Sequence, residues 1–136
     1  MTIPTTSPSP FLAMGDKAFV SLTTFRKRGK GVPTPVWIAR DGDTLLVTTP
    51  EESGKVKRLR NNAKVELRPC TRSGTVIGDG PPVVGRVEFE DDPMQARYFT
   101  DLIRAKYGPE YLLTMFIERL VAKRQKPRVI LKITAA

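Results

Sequence analysis

Apolar and polar positions alternate with a period of two in several short stretches of this chain. Residues 18–25 set Phe19, Ser21 and Thr23 against Val20, Leu22 and Thr24, which predicts a strand. Residues 33–40 carry Val36, Trp37 and Ile38 and predict a second, with Pro33 and Pro35 placing its start at an edge or a bulge. Asp41-Gly42-Asp43 is a tight-turn signal, and residues 44–49 return as a third strand. Residues 65–70 and 83–90 predict a fourth and a fifth. Between them Gly74, Gly78, Gly80 and two prolines make residues 71–82 turn-rich, a stretch able to lengthen the flanking hairpin. After Pro127, residues 128–134 alternate again as a sixth strand.

Helical spacing appears in three places, and residues 11–16 form a short helical turn or loop. Ser53 is placed to cap a helix over residues 54–61, with Val56 and Leu59 on its core side. Asp92-Pro93 opens another in the favoured order of cap and first-turn proline. Its apolar stripe is Met94, Tyr98 and Leu102, flanked by Phe99 and Ile103. Gly108-Pro109 breaks that helix, and a further one over residues 110–122 is expected to bury Leu112, Leu113, Phe116, Ile117 and Leu120. Antiparallel strands interrupted in this order predict an α+β fold built on a six-stranded barrel, with a short helix after strand three and a helix pair before the last strand. Residues 11–136 are expected to form a single domain. Residues 1–10 have almost nothing to bury and read as a disordered lead.

Composition narrows the chemistry. The chain of 136 residues contains no histidine and one cysteine, Cys70, which excludes a Ser-His-Asp triad, a Cys-His dyad, an internal disulfide and the common zinc sites. An enzyme with this inventory would rely on a bound cofactor. No run of about 18 apolar residues occurs and the N-terminus lacks a secretory pattern, so a cytoplasmic protein without stable membrane association is expected. The net charge of +9 attracts anions. It is clustered: Arg26, Lys27, Arg28 and Lys30; then Lys55, Lys57, Arg58, Arg60, Lys64, Arg68 and Arg72; then Lys123, Arg124, Lys126 and Arg128. Any of these runs can also be an ordinary solvated face.

The most informative segment is TTPEESGKVKRLRNNAKVELRPC, residues 48–70. A strand ends in Thr48 and Thr49, and a loop leads to Ser53 at a helix start. The free N–H groups of the first turn and the helix dipole favour an anion there. Gly54 leaves room for close approach, and Lys55, Lys57 and Arg58 add charge. The residues read in this way as a phosphate site or, equally, as a capped basic helix facing solvent.

The same segment resembles the pyridoxamine-phosphate-oxidase-like split-barrel family. In that family a strand ending in Thr is followed by Ser-x-Lys opening a helix, then Leu and Asn. Thr48, Thr49, Ser53, Lys55, Leu59 and Asn62 occupy those positions. TPVW (34–37), SGKVKRLR (53–60) and RPC (68–70) are similar to an actinobacterial branch of F420-dependent (deazaflavin) oxidoreductases. The likeness runs from about residue 11 to residue 133. It implies an FMN-binding split-barrel fold and a homodimer with cofactor sites between subunits. It also implies a cofactor phosphate held by the Thr, Ser and Lys positions, and a strand, here Pro33 to Ile38, laid along the ring. The resulting site comprises Pro35, Val36, Trp37, Thr48, Thr49, Ser53, Gly54, Lys55, Lys57 and Arg58, with no catalytic side chain and no metal.

The expected activity is hydride transfer from reduced F420 to an unsaturated or conjugated small-molecule electron acceptor. An FMN-dependent enzyme on the same fold and a non-catalytic F420-binding or storage protein are the alternatives. Nucleic-acid binding rests on charge alone, without a reading helix or an aromatic-studded basic strand, and ranks last. Trp37 reads as core more readily than as ring contact. Cys70 reads as a packed small residue, and Tyr98, Tyr107 and Tyr111 as core or dimer packing.

Overall fold

The computed structural model describes residues 9–124 and 126–136. The expected disordered lead therefore lies outside the described residues for 1–8, while Ser9 and Pro10 do form structure. Ser9 caps helix α1 (Pro10–Ala13) by accepting from the Leu12 amide at 3.1 Å, and a single 3-10 turn, Met14–Asp16, follows. The strands are β1 (Val20–Phe25), β2 (Gly31–Val36), β3 (Ala39–Asp41), β4 (Thr44–Pro50), β5 (Lys64–Pro69), β6 (Val83–Phe89) and β7 (Arg128–Ala135). Helix α2 (Gly54–Asn61) joins β4 to β5, and α3 (Pro93–Tyr107) and α4 (Pro109–Ala122) join β6 to β7.

All seven strands form one antiparallel sheet in the order β2-β1-β5-β6-β7-β4-β3. The two edge strands, β2 and β3, are consecutive in sequence and separated only by Trp37 and Ile38. Two residues span a few ångströms, so the sheet has to curl until its edges nearly meet. The result is the expected α+β split barrel, with one correction. The single strand expected over residues 33–40 is two strands, because the chain leaves β1 after the Val20–Val36 pair and joins β4 only at Ala39–Leu46.

Curling gives the sheet an inner and an outer face. Val20, Leu22, Ile38, Leu45, Leu67 and Ile133 fill the inside with no exposure. Gly85 admits Phe11 to the end of this core. A β-carbon there would lie 2.7 Å from Ile133 Cγ2 and 3.1 Å from the Phe11 ring. On the outside, Leu46 and Ile130 pack beneath Phe99 and Ile103 of α3. Burying side chains of that size contributes about 1.5–3 kcal/mol each.

The helix pair departs from the expected burial. On α3 the core contact is made by Phe99 and Ile103, whereas Met94 is 81% exposed and Tyr98 49%. On α4 the five residues expected to be buried are 50–61% exposed, and no residue of this helix is buried. Its apolar stripe faces away from the barrel. Periodicity identified residues that share a face, but the face points outward. Residues 71–82 do not extend the β5–β6 ladder, which ends at Leu67–Val83. They fold back through a turn at Thr71–Gly74 and one bridge between Cys70 and Val76.

Candidate functional site: two clefts at the start of helix α2

Strand β4 ends in Thr48 and Thr49, both buried, and Ser53 then begins α2. The Ser53 hydroxyl lies 3.4 Å from Thr49 Oγ1 and accepts a long bond, 3.5 Å, from the Val56 amide. The amides of Gly54 and Lys55 belong to the first turn and have no intrahelical acceptor by geometry. A cleft opens on each side of this helix start.

The first cleft, about 200 Å³, is walled by Pro35, Val36, Trp37, Thr48, Thr49 and Lys55. Six of the ten expected site residues therefore meet in one place, although they come from β2, the gap after it, β4 and α2. The second cleft, about 530 Å³, takes Gly54, Lys57 and Arg58 from α2 and Arg26, Lys27, Arg28 and Lys30 from the β1–β2 hairpin, with Phe25 and Asn61. Ser53 lines neither cleft and acts as cap and hydroxyl partner between them.

Sequence reasoning missed several members of the first cleft: Phe19, Arg72, Thr114 and Arg128. The run that contains Arg128 reads from sequence as either an anion site or a solvated face, and the Arg128 side chain is only 18% exposed. Its Nε donates to Thr48 Oγ1 at 3.2 Å, its Nη2 to the Thr48 carbonyl at 3.2 Å, and its Nη1 to Glu118 of α4 at 2.8 and 3.1 Å. Arg72 sits over the Phe19 ring at 4.9 Å and forms an ion pair with Glu110 of α4 that lacks hydrogen-bond alignment. No local signal marks either arginine, because Thr48 lies 80 residues from Arg128, and Phe19 and Glu110 lie 53 and 38 from Arg72. Glu118, 10 residues from Arg128, meets it only through the docking of α4.

Charge is crowded around the helix start. Burial, then Arg58 and Arg128, push the Lys55 ammonium below its ordinary pKa. Burial, then Arg26, do the same to Arg58. The Arg58 Nε donates to the buried Thr24 Oγ1 at 2.6 Å. A β-carbon at Gly54 would come within 2.8 Å of Arg58 Nη1, so the glycine leaves the guanidinium free to lie over the helix start. Among the described residues no carboxylate pairs with Lys55, Lys57, Arg58 or the hairpin cations.

Trp37 closes one side of the first cleft. It stacks on Tyr107 with ring centroids 4.8 Å apart and meets Tyr111 at 5.9 Å. Burial pushes the Tyr107 phenol up to about 12. Cys70 is buried and its thiol is pushed up by that burial, in keeping with a packing role. Among the described residues no cluster of three or more His, Cys, Asp or Glu side chains offers a metal site, and no helix is long and apolar enough to cross a membrane.

A curled antiparallel sheet whose seam and helix α2 frame two cation-lined clefts defines a split-barrel protein. The chain belongs to the pyridoxamine 5'-phosphate oxidase family, whose model matches residues 11–136. No curated protein sequence matches it. Among solved structures it resembles a conserved hypothetical protein of Mycobacterium tuberculosis (19% identity, TM-score 0.66, covering 96% of this chain and 81% of that one). It also resembles an F420 reductase (20% identity, TM-score 0.60, covering 96% of each). A third is a FAD-binding protein of Mesorhizobium loti (17% identity, TM-score 0.59, covering 90% of this chain and 82% of that one). At these identities the likeness is one of fold.

Proposed function

We propose that this protein is an F420-binding oxidoreductase, which passes hydride from the reduced cofactor to an unsaturated or conjugated small molecule. The observation that carries the reading is the pair of clefts meeting at Ser53–Lys55. One has an apolar strand and Trp37 for a wall, with hydroxyls and Lys55 at its base. The other is lined by six cations and no carboxylate. F420 has a matching layout: a ring system, one phosphate, then a lactate and a chain of glutamates. FMN would use the first cleft and leave the second without a role.

When bound, the deazaflavin supplies the hydride from its own ring carbon. The chain's residues bind and orient. Thr48, Thr49, Lys55 and the Gly54 and Lys55 amides suit the phosphate, Pro35–Trp37 the ring, and Lys57, Arg58 and the hairpin the carboxylate tail. The donor set fits an anionic cofactor, because among the described residues no carboxylate lines either cleft, and Glu110 and Glu118 are already engaged by Arg72 and Arg128. Titration with F420, F420 trimmed of its glutamates, FMN and a short DNA tests the reading. F420 should bind tightest and lose affinity with salt more steeply than the trimmed form. Tighter FMN binding would overturn the cofactor assignment, and equal salt slopes would remove the tail from it.

We further propose that the protein works as a homodimer. The first cleft is smaller than the roughly 300–1,000 Å³ usual for a ligand pocket, and α4 beside it turns Leu112, Leu113, Phe116, Ile117 and Leu120 to solvent. A second copy seated on that face covers the apolar stripe and deepens the cleft. Light scattering should give twice the chain mass at micromolar concentration. Phe116→Asp should give a monomer that keeps its fold, and a monomeric wild type would refute the proposal.

A further inference from the structure

Between β2 and β3 the backbone at Ile38 belongs to no ladder, yet Ile38 is fully buried. Water cannot reach its amide and carbonyl, so other partners must satisfy them. They come from the last turn of α3, about seventy residues on. The Ile38 amide donates to the Tyr107 hydroxyl at 2.9 Å. That hydroxyl donates in turn to the Ala18 carbonyl at 2.7 Å, with the Ile38 carbonyl 3.1 Å away. The Lys106 ammonium donates to the carbonyls of Ile38 (2.6 Å), Lys17 (2.6 Å) and Gly15 (2.8 Å).

All three N–H bonds of the ammonium are thereby used, each on a backbone carbonyl. The two side chains tie three segments together: the turn after α1, the start of β1 and the gap at 37–38. They do so at the one point where the chain passes from one edge of the sheet to the other. Trp37, adjacent to the pinned residue, stacks on the ring of the same Tyr107 and forms a wall of the first cleft.

We propose that Lys106 and Tyr107 are positioning residues, a peg in the barrel seam that fixes Trp37 and the neighbouring Pro35–Val36 backbone in the geometry a cofactor ring requires. Neither residue lines the cleft, so both act through Trp37 and Ile38. The ligand side of this inference rests on the reading of the cleft given above, but the placement of Trp37 does not. A fastening that only anchored α3 would need no contact with the gap. Phe99 and Ile103 already bury that helix against Leu46 and Ile130.

Trp37 is the only tryptophan, so its emission reports the seam directly. Tyr107→Phe keeps the stacked ring and removes the hydroxyl. It should shift Trp37 emission to the red, raise acrylamide quenching about twofold and weaken F420 binding about tenfold. Lys106→Met should do the same, and it carries the test should Tyr107→Phe fail to fold. Ile103→Val, a packing change on the same helix, should lower the melting temperature while leaving emission and affinity at wild-type values. If Tyr107→Phe and Lys106→Met also lower only the melting temperature, the pair is a plain anchor and the proposal is wrong. If wild type binds neither F420 nor FMN, the cofactor reading fails, and the emission comparison still decides whether the peg holds Trp37.

Discussion

The two clefts differ less in how many cations they hold than in what those cations already touch. In the first, Arg72 and Arg128 are engaged by Glu110 and Glu118, and Lys55 alone is unpaired among the described residues. In the second, Arg26, Lys27, Arg28, Lys30, Lys57 and Arg58 have no carboxylate partner among the described residues. Neutralised arginines work as structure, since they tie α4 to the barrel and hold the Thr48 carbonyl and hydroxyl. Unneutralised cations repel one another, and that repulsion is relieved when an anion arrives. The net charge of +9 is therefore a poor guide to function until it is divided between these two uses.

The sharpest way to break this division is at Arg128. Arg128→Ala leaves Glu118 without its partner and Thr48 without two hydrogen bonds, in a pair whose side chains are each 18% exposed. Removing one member of a buried pair costs about 3–5 kcal/mol, and the partial exposure here puts the expectation near the lower end. Urea denaturation measures it. A loss below about 1 kcal/mol would class Arg128 with the surface ion pairs instead.

Lys55→Ala should have the opposite profile. Cofactor affinity should fall by about 1.5–3 kcal/mol, the scale of a charge-assisted hydrogen bond. The fold should be no less stable, because Lys55 is half-buried among like charges. Its pKa is lowered in the folded chain, so between that value and 10.5 the unfolded chain binds more protons, and stability rises with pH in that window. Anion binding favours the protonated form, so affinity should decline with rising pH, beginning below 10.5. Calorimetry from pH 7 to 10.5 should show that decline in wild type and a flat profile in Lys55→Ala. A decline common to both would assign the titration to another group.

The smallest effects belong to the second cleft. Arg26→Ala, Lys27→Ala, Arg28→Ala and Lys57→Ala should each weaken F420 binding by less than about 1 kcal/mol, and the losses should vanish in high salt. Trimmed cofactor should not distinguish these variants from wild type. A single variant that loses more than tenfold would mean that the cleft has one dominant contact instead of a diffuse field.

Much of the candidate site was legible because its signals are contiguous. Thr48, Thr49, Ser53, Gly54 and Lys55 lie within eight residues, and the strand end, cap and first turn that place them are local features. Arg128 reaches Thr48 only through the β4–β7 register, and Arg72 reaches the cleft by way of Phe19, so neither is visible in a window of any length. The expectation that Pro35–Trp37 lies along a ring came from the family likeness alone, since residue types leave that strand ambiguous between core and contact. Helix α4 shows a different limit. Spacing groups Leu112, Leu113, Phe116, Ile117 and Leu120 correctly, but which side of a helix meets its own barrel depends on the packing of α3 and on any partner. The break at Trp37–Ile38 was hidden for a related reason, since its hydrogen-bond partners are supplied by α3.

The edges of the sheet carry one more consequence. β2 contains Pro33 and Pro35, which have no N–H to offer a neighbour, and β3 is only three residues long. Both free edges are thus poor templates for adding a strand. Such edges disfavour the continuation of one sheet into the next, and a stray extended peptide finds little to zip onto. Any self-association would have to be made by side chains instead of by strand pairing.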